Sequence, residues 1–293
     1  LMRILVLGKN GQLGLSLKKA VEDFGLGCEF IFAGRDEVDL SKRESIYNYF
    51  NAYHFDLIIN CAAYTAVDNA EKERKSANLI NNKAVEFLAE ISNLHNSVLI
   101  HISTDYVFDG KITNSYIETD ETNPINVYGK TKLLGENKIK KLMPKNAIII
   151  RTSWLYSHYG KNFVDTIIRN AKINKKLDVI NNQFGSPTYA QDLSETILKI
   201  IESLVNGREV KHTQIYHFSN DGSPSWFDFA NEIIRLAKIE CIINPIDSNQ
   251  YPSIAKRPKN TSLHVEKISK EFNVDVKHWK TSLINYMDLM NTR

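Results

Sequence analysis

The first half of the chain alternates between two hydrophobic periodicities. Short runs of branched apolar residues predict buried strands, and the stretches between them carry apolar residues three or four positions apart, as amphipathic helices do. The predicted strands comprise residues 3–7, 29–33, 57–60, 97–103 and 147–152, and the predicted helices comprise residues 13–23, 41–51, 76–94 and 127–142. Ser41 and Glu44 have the spacing of a capping box, which predicts the start of the second helix. Such alternation is typical of a parallel sheet covered by helices on both faces.

Beyond residue 152 the alternation becomes irregular. Helices are predicted at residues 163–170, 190–204, 225–237, 265–272 and 282–290, with one strand at 215–218, and residues 242–257 are predicted to be a loop because prolines interrupt them. We therefore predict an α/β fold with a Rossmann-type doubly wound parallel sheet. Residues 2–152 would form the dinucleotide-binding domain, and residues 153–293 would form a smaller, mainly substrate-binding portion, part of which returns to the first domain. The cleft between them is the expected ligand site.

The composition is that of an ordinary globular protein and excludes several function classes. Lysine and arginine (37 residues) nearly balance aspartate and glutamate (34), and the net charge of +3 argues against a nucleic-acid-binding protein. Cys28, Cys61 and Cys241 are too few and too scattered for a disulfide framework or a zinc site. No apolar run approaches the roughly 18 residues of a membrane span. We expect a cytoplasmic protein with no membrane partner and no metal.

Three glycines follow the first predicted strand and open the first helix. A turn without side chains lets backbone N–H groups and the helix N-terminus approach a pyrophosphate, so this spacing predicts a dinucleotide site. The turn comprises Gly8, Asn10, Gly11, Gln12, Leu13 and Gly14 as candidate contacts.

The end of the second predicted strand indicates which dinucleotide is bound. An acidic residue there would bind the ribose 2′-hydroxyl of NAD, whereas an arginine can accommodate the 2′-phosphate of NADP. This chain has Arg35 and no acid at the strand tip, which favours NADPH, with NADH as the alternative. Asp39 and Leu40 follow closely enough to border the adenine.

A tyrosine and a lysine four residues apart provide candidate acid chemistry. Chance supplies roughly one such pair in a chain with 13 tyrosines, so position matters more than spacing. Tyr128 begins the helix that follows the fourth strand, and Lys132 shares its face. A nearby ammonium favours the phenolate, which predicts a lowered pKa for Tyr128. Thr104, at the end of the fourth strand, supplies a hydroxyl on the same sheet edge as the glycine turn.

Together these residues resemble the extended short-chain dehydrogenase/reductases and, within them, the dTDP-4-dehydrorhamnose reductase family. Two of the supporting strings lie in the second half of the chain, which makes the likeness more specific than the superfamily. The strings are residues 61–68 (CAAYTAVD), 103–108 (STDYVF), 128–133 (YGKTKL), 151–156 (RTSWLY) and 183–188 (QFGSPT).

The resemblance implies hydride transfer from NADPH or NADH to the C4 ketone of dTDP-4-dehydro-L-rhamnose, with Tyr128 as proton donor. Lys132 would hold the nicotinamide ribose, and Thr104 would polarise the carbonyl or tune Tyr128. The implied cofactor contacts are Gly11, Gln12 and Leu13 at the pyrophosphate, Asp39 and Leu40 at the adenine, and Ala63, Tyr64 and Thr65 at the ribose, with Cys61 and Ala62 just before them. The implied sugar contacts are Val67, Thr104, Asp105, Tyr106, Trp154 and Gln183.

Three alternatives remain open at this point. The substrate could be another nucleotide-linked 4-keto-6-deoxy sugar. The chain could be a nucleotide-sugar epimerase or dehydratase, although a dehydratase is disfavoured because Tyr106, not glutamate, follows Asp105. The chain could also be a non-catalytic dinucleotide-binding subunit, like the regulatory subunit of methionine adenosyltransferase.

Some family members form a magnesium-bridged homodimer through a glutamate just after the third glycine. Here Leu15 and Ser16 occupy that place, so we expect a monomer or a homodimer without a metal bridge.

Overall fold

The computed structural model describes residues 1–291, so the last two residues of the predicted second portion lie outside the described residues. The strands are β1 Arg3–Leu7, β2 Glu29–Ala33, β3 Leu57–Asn60, β4 Val98–Thr104, β5 Ala147–Thr152, β6 Leu155–Tyr156, β7 Lys176–Ile180, β8 Thr188–Tyr189, β9 Gln214–His217 and β10 Ile242–Ile246. The helices are α1 Gln12–Phe24, α2 Arg43–Ala52, α3 Val67–Lys72, α4 Arg74–Asn78, α5 Ala84–Leu94, α6 Val127–Leu142, α7 Phe163–Ile173, α8 Ala190–Val205, α9 Trp226–Ala237, α10 Glu266–Phe272 and α11 Trp279–Asn291.

Six parallel strands form the central sheet in the order β2-β1-β3-β4-β5-β9. Alternate residues of β1 explain the two layers that cover it. Ile4 and Val6 pack with α1 and α8 on one face, whereas Leu5 and Leu7 pack with α2, α5 and α6 on the other. All four are buried, as expected for a strand inside a doubly covered parallel sheet. The predicted Rossmann-type α/β fold is confirmed.

The second half of the chain contributes to the central sheet and also builds a smaller core. Strand β9 adds the sixth strand beside β5, and α8 packs against α1. The smaller core lies among α7, α9 and α11 and includes Val164, Phe229, Ile233 and Leu283. None of the helices within residues 1–291 combines the length and the apolar composition that crossing a bilayer requires.

The predicted loop at residues 242–257 is wrong in its first part. Residues 242–246 form β10, which pairs in parallel with β7, a strand that the sequence pattern did not predict. Pro245 hid this strand because proline cannot donate a ladder hydrogen bond. In a two-stranded sheet each strand is an edge, and an edge strand tolerates proline.

The predicted capping box at Ser41 and Glu44 is also wrong. Helix α2 begins at Arg43, and its N-cap residue, Lys42, makes no side-chain capping bond. The Ser41 hydroxyl instead donates to Asp39 Oδ1 at 2.6 Å, and the Ser41 backbone N–H donates to the same oxygen at 3.0 Å. Asp39 therefore competes successfully for the serine by forming a local turn.

Candidate active site

A cleft of about 1090 Å³ opens at the carboxyl ends of β1, β3 and β4. In a sheet of this order, ligands bind where connections leave the sheet in opposite directions, here between β1 and β3. All but two of the predicted site residues line the cleft; Gly14 and Gln183 lie behind its wall. The lining residues among the predictions are Gly8, Asn10, Gly11, Gln12, Leu13, Arg35, Asp39, Leu40, Cys61, Ala62, Ala63, Tyr64, Thr65, Val67, Thr104, Asp105, Tyr106, Tyr128, Lys132 and Trp154.

The glycine turn is shaped for close backbone approach. Gly8 has a φ of +89°, which favours glycine, and a Cβ on Gly14 would lie 2.2 Å from the Gly8 carbonyl oxygen. Gly14 therefore allows the first turn of helix α1 to pack closely against the glycine-rich loop at Gly8. Gly11, the N-cap residue of α1, provides no side-chain cap, so N–H groups of the first helical turn remain for an anion.

The charged side chains that could distinguish NADPH from NADH lie beyond the glycine turn, in the segment that follows β2. The Arg35 side chain is 80% exposed, and its Nε lies 3.6 Å from Asp39 Oδ1. Lys42 Nζ approaches the other oxygen of Asp39, also at 3.6 Å. The hydrogen bond from the Ser41 hydroxyl holds the pKa of Asp39 below its ordinary value. Arg35 is thus a cation at the cleft mouth with a long, weak ion pair.

Tyr128 and Thr104 are brought together by close packing of α6 against the turn that follows β4. Asn126 caps α6 by accepting from the Gly129 N–H at 2.8 Å, which places Tyr128 in the first helical turn. A Cβ on Gly129 would lie 2.0 Å from the Tyr106 carbonyl oxygen, so only glycine permits this approach. Thr104 donates to Asp105 Oδ1 at 2.9 Å, and its hydroxyl is close enough to Tyr128 to lower the pKa of that phenol.

Burial raises the pKa of Tyr128 to about 12, against the hydrogen bond with Thr104 that lowers it. Lys132 Nζ donates to the Ile102 carbonyl at 2.6 Å and lies 3.2 Å from His101 Nε2. Burial also lowers the pKa of Lys132 to about 8. The prediction that the Lys132 ammonium lowers the Tyr128 pKa is therefore wrong for this arrangement, because Lys132 directs its amine at β4.

The opposite wall of the cleft contains a tryptophan pair, of which the sequence pattern predicted only one member. Trp154 and Trp226 stack with ring centroids 3.3 Å apart and planes at 7°. Trp154 has a φ of +45°, an unusual backbone conformation for a bulky residue and one that often accompanies functional sites. Trp226 is the first residue of α9 and lies within the capping box formed by Ser225 and Asp228. The capping box is a local sequence signal for the position of Trp226, but no local signal indicates that Trp226 stacks on Trp154.

Asp105 and Gln183 are both predicted sugar contacts, but only Asp105 lines the cleft. Asp105 lines the cleft, and burial raises its pKa to about 7, against the hydrogen bonds of Thr261 and Thr104. Gln183 is buried behind the wall, where its backbone carbonyl accepts from the Trp226 N–H at 3.3 Å.

Two ion pairs that the sequence pattern missed support the site. Arg151 and Glu136 form a buried pair at 2.7 Å, and the Ser103 hydroxyl donates to Glu136 at 2.6 Å, which ties β4, β5 and α6 together beneath Thr104. Next to the lining residue Val67, Arg257 pairs with Asp68 at 2.6 Å and joins the C-terminal segment to α3.

The sheet, the glycine turn and the Thr104–Tyr128–Lys132 set define an extended short-chain dehydrogenase/reductase fold. The profile described as the RmlD substrate binding domain matches residues 2–292. The chain belongs to this family.

Named relatives cover nearly the whole chain. A dTDP-4-dehydrorhamnose reductase from Aggregatibacter actinomycetemcomitans is 40% identical over 97% of both chains. A solved dTDP-4-dehydrorhamnose reductase from Clostridium acetobutylicum is 38% identical, with a TM-score of 0.92 over 99% of this chain and 100% of that one. Another, from Bacillus anthracis in complex with NADP, is 34% identical, with a TM-score of 0.90 over 98% and 99%.

Proposed function

We propose that this protein uses NADPH to reduce the C4 ketone of dTDP-4-dehydro-L-rhamnose to dTDP-L-rhamnose. The observation that carries the proposal is the Tyr128 hydroxyl beside Thr104, in the same cleft as an uncapped helix N-terminus. The names of relatives that match the full chain support the choice of substrate. Residues up to 152 would hold mainly the cofactor, and later residues mainly the sugar nucleotide.

The cradle around the glycine turn fits a dinucleotide. A Cβ at Gly8 would lie 2.9 Å from the Ala62 nitrogen, so glycine lets the turn pack closely against the backbone after β3, which also lines the cleft. Gly11, Gln12 and Leu13 would hold the pyrophosphate, and residues 63–65 the ribose. Arg35 would meet the 2′-phosphate, and the NADP complex of the Bacillus anthracis relative supports NADP(H) as a cofactor. When bound, the cofactor supplies the hydride.

Tyr128 is suited to donate a proton. A phenol with a pKa of about 12 stays protonated at neutral pH, so it holds a proton ready for the alkoxide that forms at C4. After transfer the Thr104 hydroxyl would donate to the phenolate instead of to Asp105, in keeping with its lowering of the Tyr128 pKa. A lysine with a pKa of about 8 is largely charged at neutral pH, and Lys132 would hold the nicotinamide ribose.

The deoxysugar would lie between Tyr128 and the tryptophan pair. Val67, Asp105, Tyr106 and Trp154 line that part of the cleft and are the proposed contacts. Trp226 backs Trp154, and Gln183 holds Trp226 from behind.

A substrate panel tests this function. Purified protein should consume NADPH, followed by absorbance, with enzymatically made dTDP-4-dehydrorhamnose and should do so more slowly with other nucleotide-linked 4-keto-6-deoxy sugars. A faster rate with another sugar would reassign the substrate. Tight NADPH binding without turnover on any of them would favour a non-catalytic binding subunit, against which the joint placement of Thr104, Tyr128 and Lys132 in the cleft argues.

A further inference from the structure

A fully buried histidine lies directly behind the catalytic lysine, and the mechanism above does not use it. His101 occupies the middle of β4, with no accessible surface. Its Nε2 lies 3.2 Å from Lys132 Nζ, and its Nδ1 lies 3.1 Å from Asn60 Nδ2. Asn60 ends β3, the neighbouring strand. The three side chains therefore form a chain of contacts that runs from Asn60, at the end of β3, through His101 to the amine of Lys132.

The orientation of the Asn60 carboxamide fixes the histidine tautomer. Asn60 Oδ1 accepts from the Ala62 N–H at 3.1 Å, so the amide nitrogen must face His101 and donate to Nδ1. A neutral imidazole has one donor and one acceptor nitrogen. With Nδ1 as acceptor, the proton lies on Nε2, which points at Lys132.

This tautomer distinguishes between the two protonation states of Lys132. A neutral amine can accept from Nε2–H while it donates to the Ile102 carbonyl at 2.6 Å. An ammonium has three donors and no acceptor, so it faces another donor at this position. We propose that Asn60 and His101 are positioning residues that set the protonation of Lys132, by presenting it with an N–H donor that only the neutral amine can accept.

The other groups around Lys132 act with or against this effect. Glu136, one turn further along α6, favours the charged lysine but is itself engaged by Arg151 and Ser103. The Cys61 thiol faces Lys132 from the end of β3, and burial raises its pKa to about 12, so it is neutral. Tyr128 lies on the same helix and is protonated at neutral pH. Burial and the lysine hold the pKa of His101 well below its ordinary value, so the ring is neutral, as the tautomer argument requires.

The consequence for catalysis rests on the proposed reductase function, whereas the hydrogen-bond state can be measured without substrate. A lysine biased toward the neutral amine changes its charge close to physiological pH. Its ability to hold the nicotinamide ribose would then depend on pH. Releasing that bias should move the alkaline limb of the kcat profile to higher pH.

Nitrogen-15 NMR of histidine-labelled full-length protein tests the tautomer directly. The His101 signals are identified by their loss in His101→Gln. At a pH above the lysine midpoint, Nε2 should show the shift of a protonated ring nitrogen and Nδ1 that of an unprotonated one. The reverse assignment, or a charged ring, would overturn the proposal. The shifts themselves are read from the unmodified chain, so the substitution serves only to assign the signals.

A lysine titration tests the effect on Lys132. In protein with ¹³C-labelled lysine Cε, the Lys132 signal is identified by its loss in Lys132→Met. Asn60→Asp offers acceptors to both the Ala62 N–H and His101 Nδ1, which moves the ring proton to Nδ1 and leaves Nε2 as an acceptor for the ammonium. The Lys132 midpoint should rise by about one unit, a tenfold change in proton affinity.

Two further variants separate the tautomer from simple charge attraction. In a His101→Leu background the effect of Asn60→Asp should be lost, because the ring that transmits it is absent. Asn82→Asp adds a carboxylate to the same core at a buried residue that bonds Asn78 rather than His101, and it should leave the midpoint unchanged. An equal rise in the leucine background, or with Asn82→Asp, would overturn the proposal. Absence of turnover with unchanged NMR results would instead count against the proposed function.

Discussion

The two halves of the cleft are built in different ways. The glycine-turn half comes from strand ends and turns within the first 65 residues, and its shape depends on backbone atoms that a side chain would displace. The sugar half is assembled from side chains distant in sequence, such as Trp154 with Trp226, and next to the lining residue Val67 the Asp68–Arg257 pair joins two distant segments. The difference predicts that damage to the first half abolishes dinucleotide binding, whereas damage to the second changes how well the substrate is held.

The largest effect is expected at the glycine turn. Gly14→Ala places a methyl group against the Gly8 carbonyl, and overpacking of about 3 kcal/mol would weaken NADPH binding about 100-fold. Gly27→Ala is the matched control, because nothing lies within 4 Å of its added Cβ. Isothermal titration with NADPH measures both, and equal affinities would show that the turn does not approach the cofactor.

The tryptophan pair should show the opposite pattern. Trp226→Ala removes the ring that supports Trp154, which should raise KM for the sugar nucleotide about tenfold and leave the NADPH Kd unchanged. Trp226→Phe should recover most of the loss, since it restores an aromatic surface. Steady-state kinetics with both substrates separates these effects. A raised NADPH Kd would contradict the prediction that the tryptophan pair affects only binding of the sugar nucleotide.

Arg35 tests whether the glycine-turn half discriminates between dinucleotides. Arg35→Ala should weaken NADPH binding about fivefold, as expected for an exposed ion pair of about 1 kcal/mol, and leave NADH binding unchanged. Lys42→Ala provides a control for loss of a neighbouring cation that also approaches Asp39. Equal losses for NADPH and NADH would exclude contact with a 2′-phosphate.

The Asp68–Arg257 pair should have the smallest effect, and it should depend on pH. The hydrogen bond from Arg257 lowers the pKa of Asp68, so its stabilisation is present above the unfolded pKa and is lost as pH falls through the folded value. Because both side chains are partly exposed, Asp68→Asn should cost only about 1 kcal/mol at pH 7.

Urea unfolding of wild type and Asp68→Asn checks this. Their difference in unfolding free energy should shrink below a pH of about 4, the ordinary range for aspartate. A difference independent of pH would mean that the Asp68 carboxylate charge contributes nothing to stability through Arg257.

The same contrast explains what the sequence could predict. The glycine turn and the Tyr128–Lys132 helix are signalled by local spacing, because the strand, turn and helix that position them are adjacent in sequence. Arg257 and Asp68 lie 189 residues apart, and no periodicity links them. Lys132 shows the limit within a correctly predicted helix. Its partners, His101 and the Ile102 carbonyl, belong to β4, so only the packing of helix on sheet revealed where its amine points.

The central claim is that Tyr128 donates the proton in a ketone reduction. Single-turnover oxidation of bound NADPH with dTDP-4-dehydrorhamnose tests it most directly, with Tyr128→Phe compared against Tyr53→Phe, a tyrosine that is 50% exposed. Tyr128→Phe should bind NADPH with unchanged affinity and should react at least about 100-fold more slowly, the loss expected for a general acid. The Tyr53→Phe control should react at the wild-type rate. Turnover by Tyr128→Phe at the wild-type rate would contradict the account.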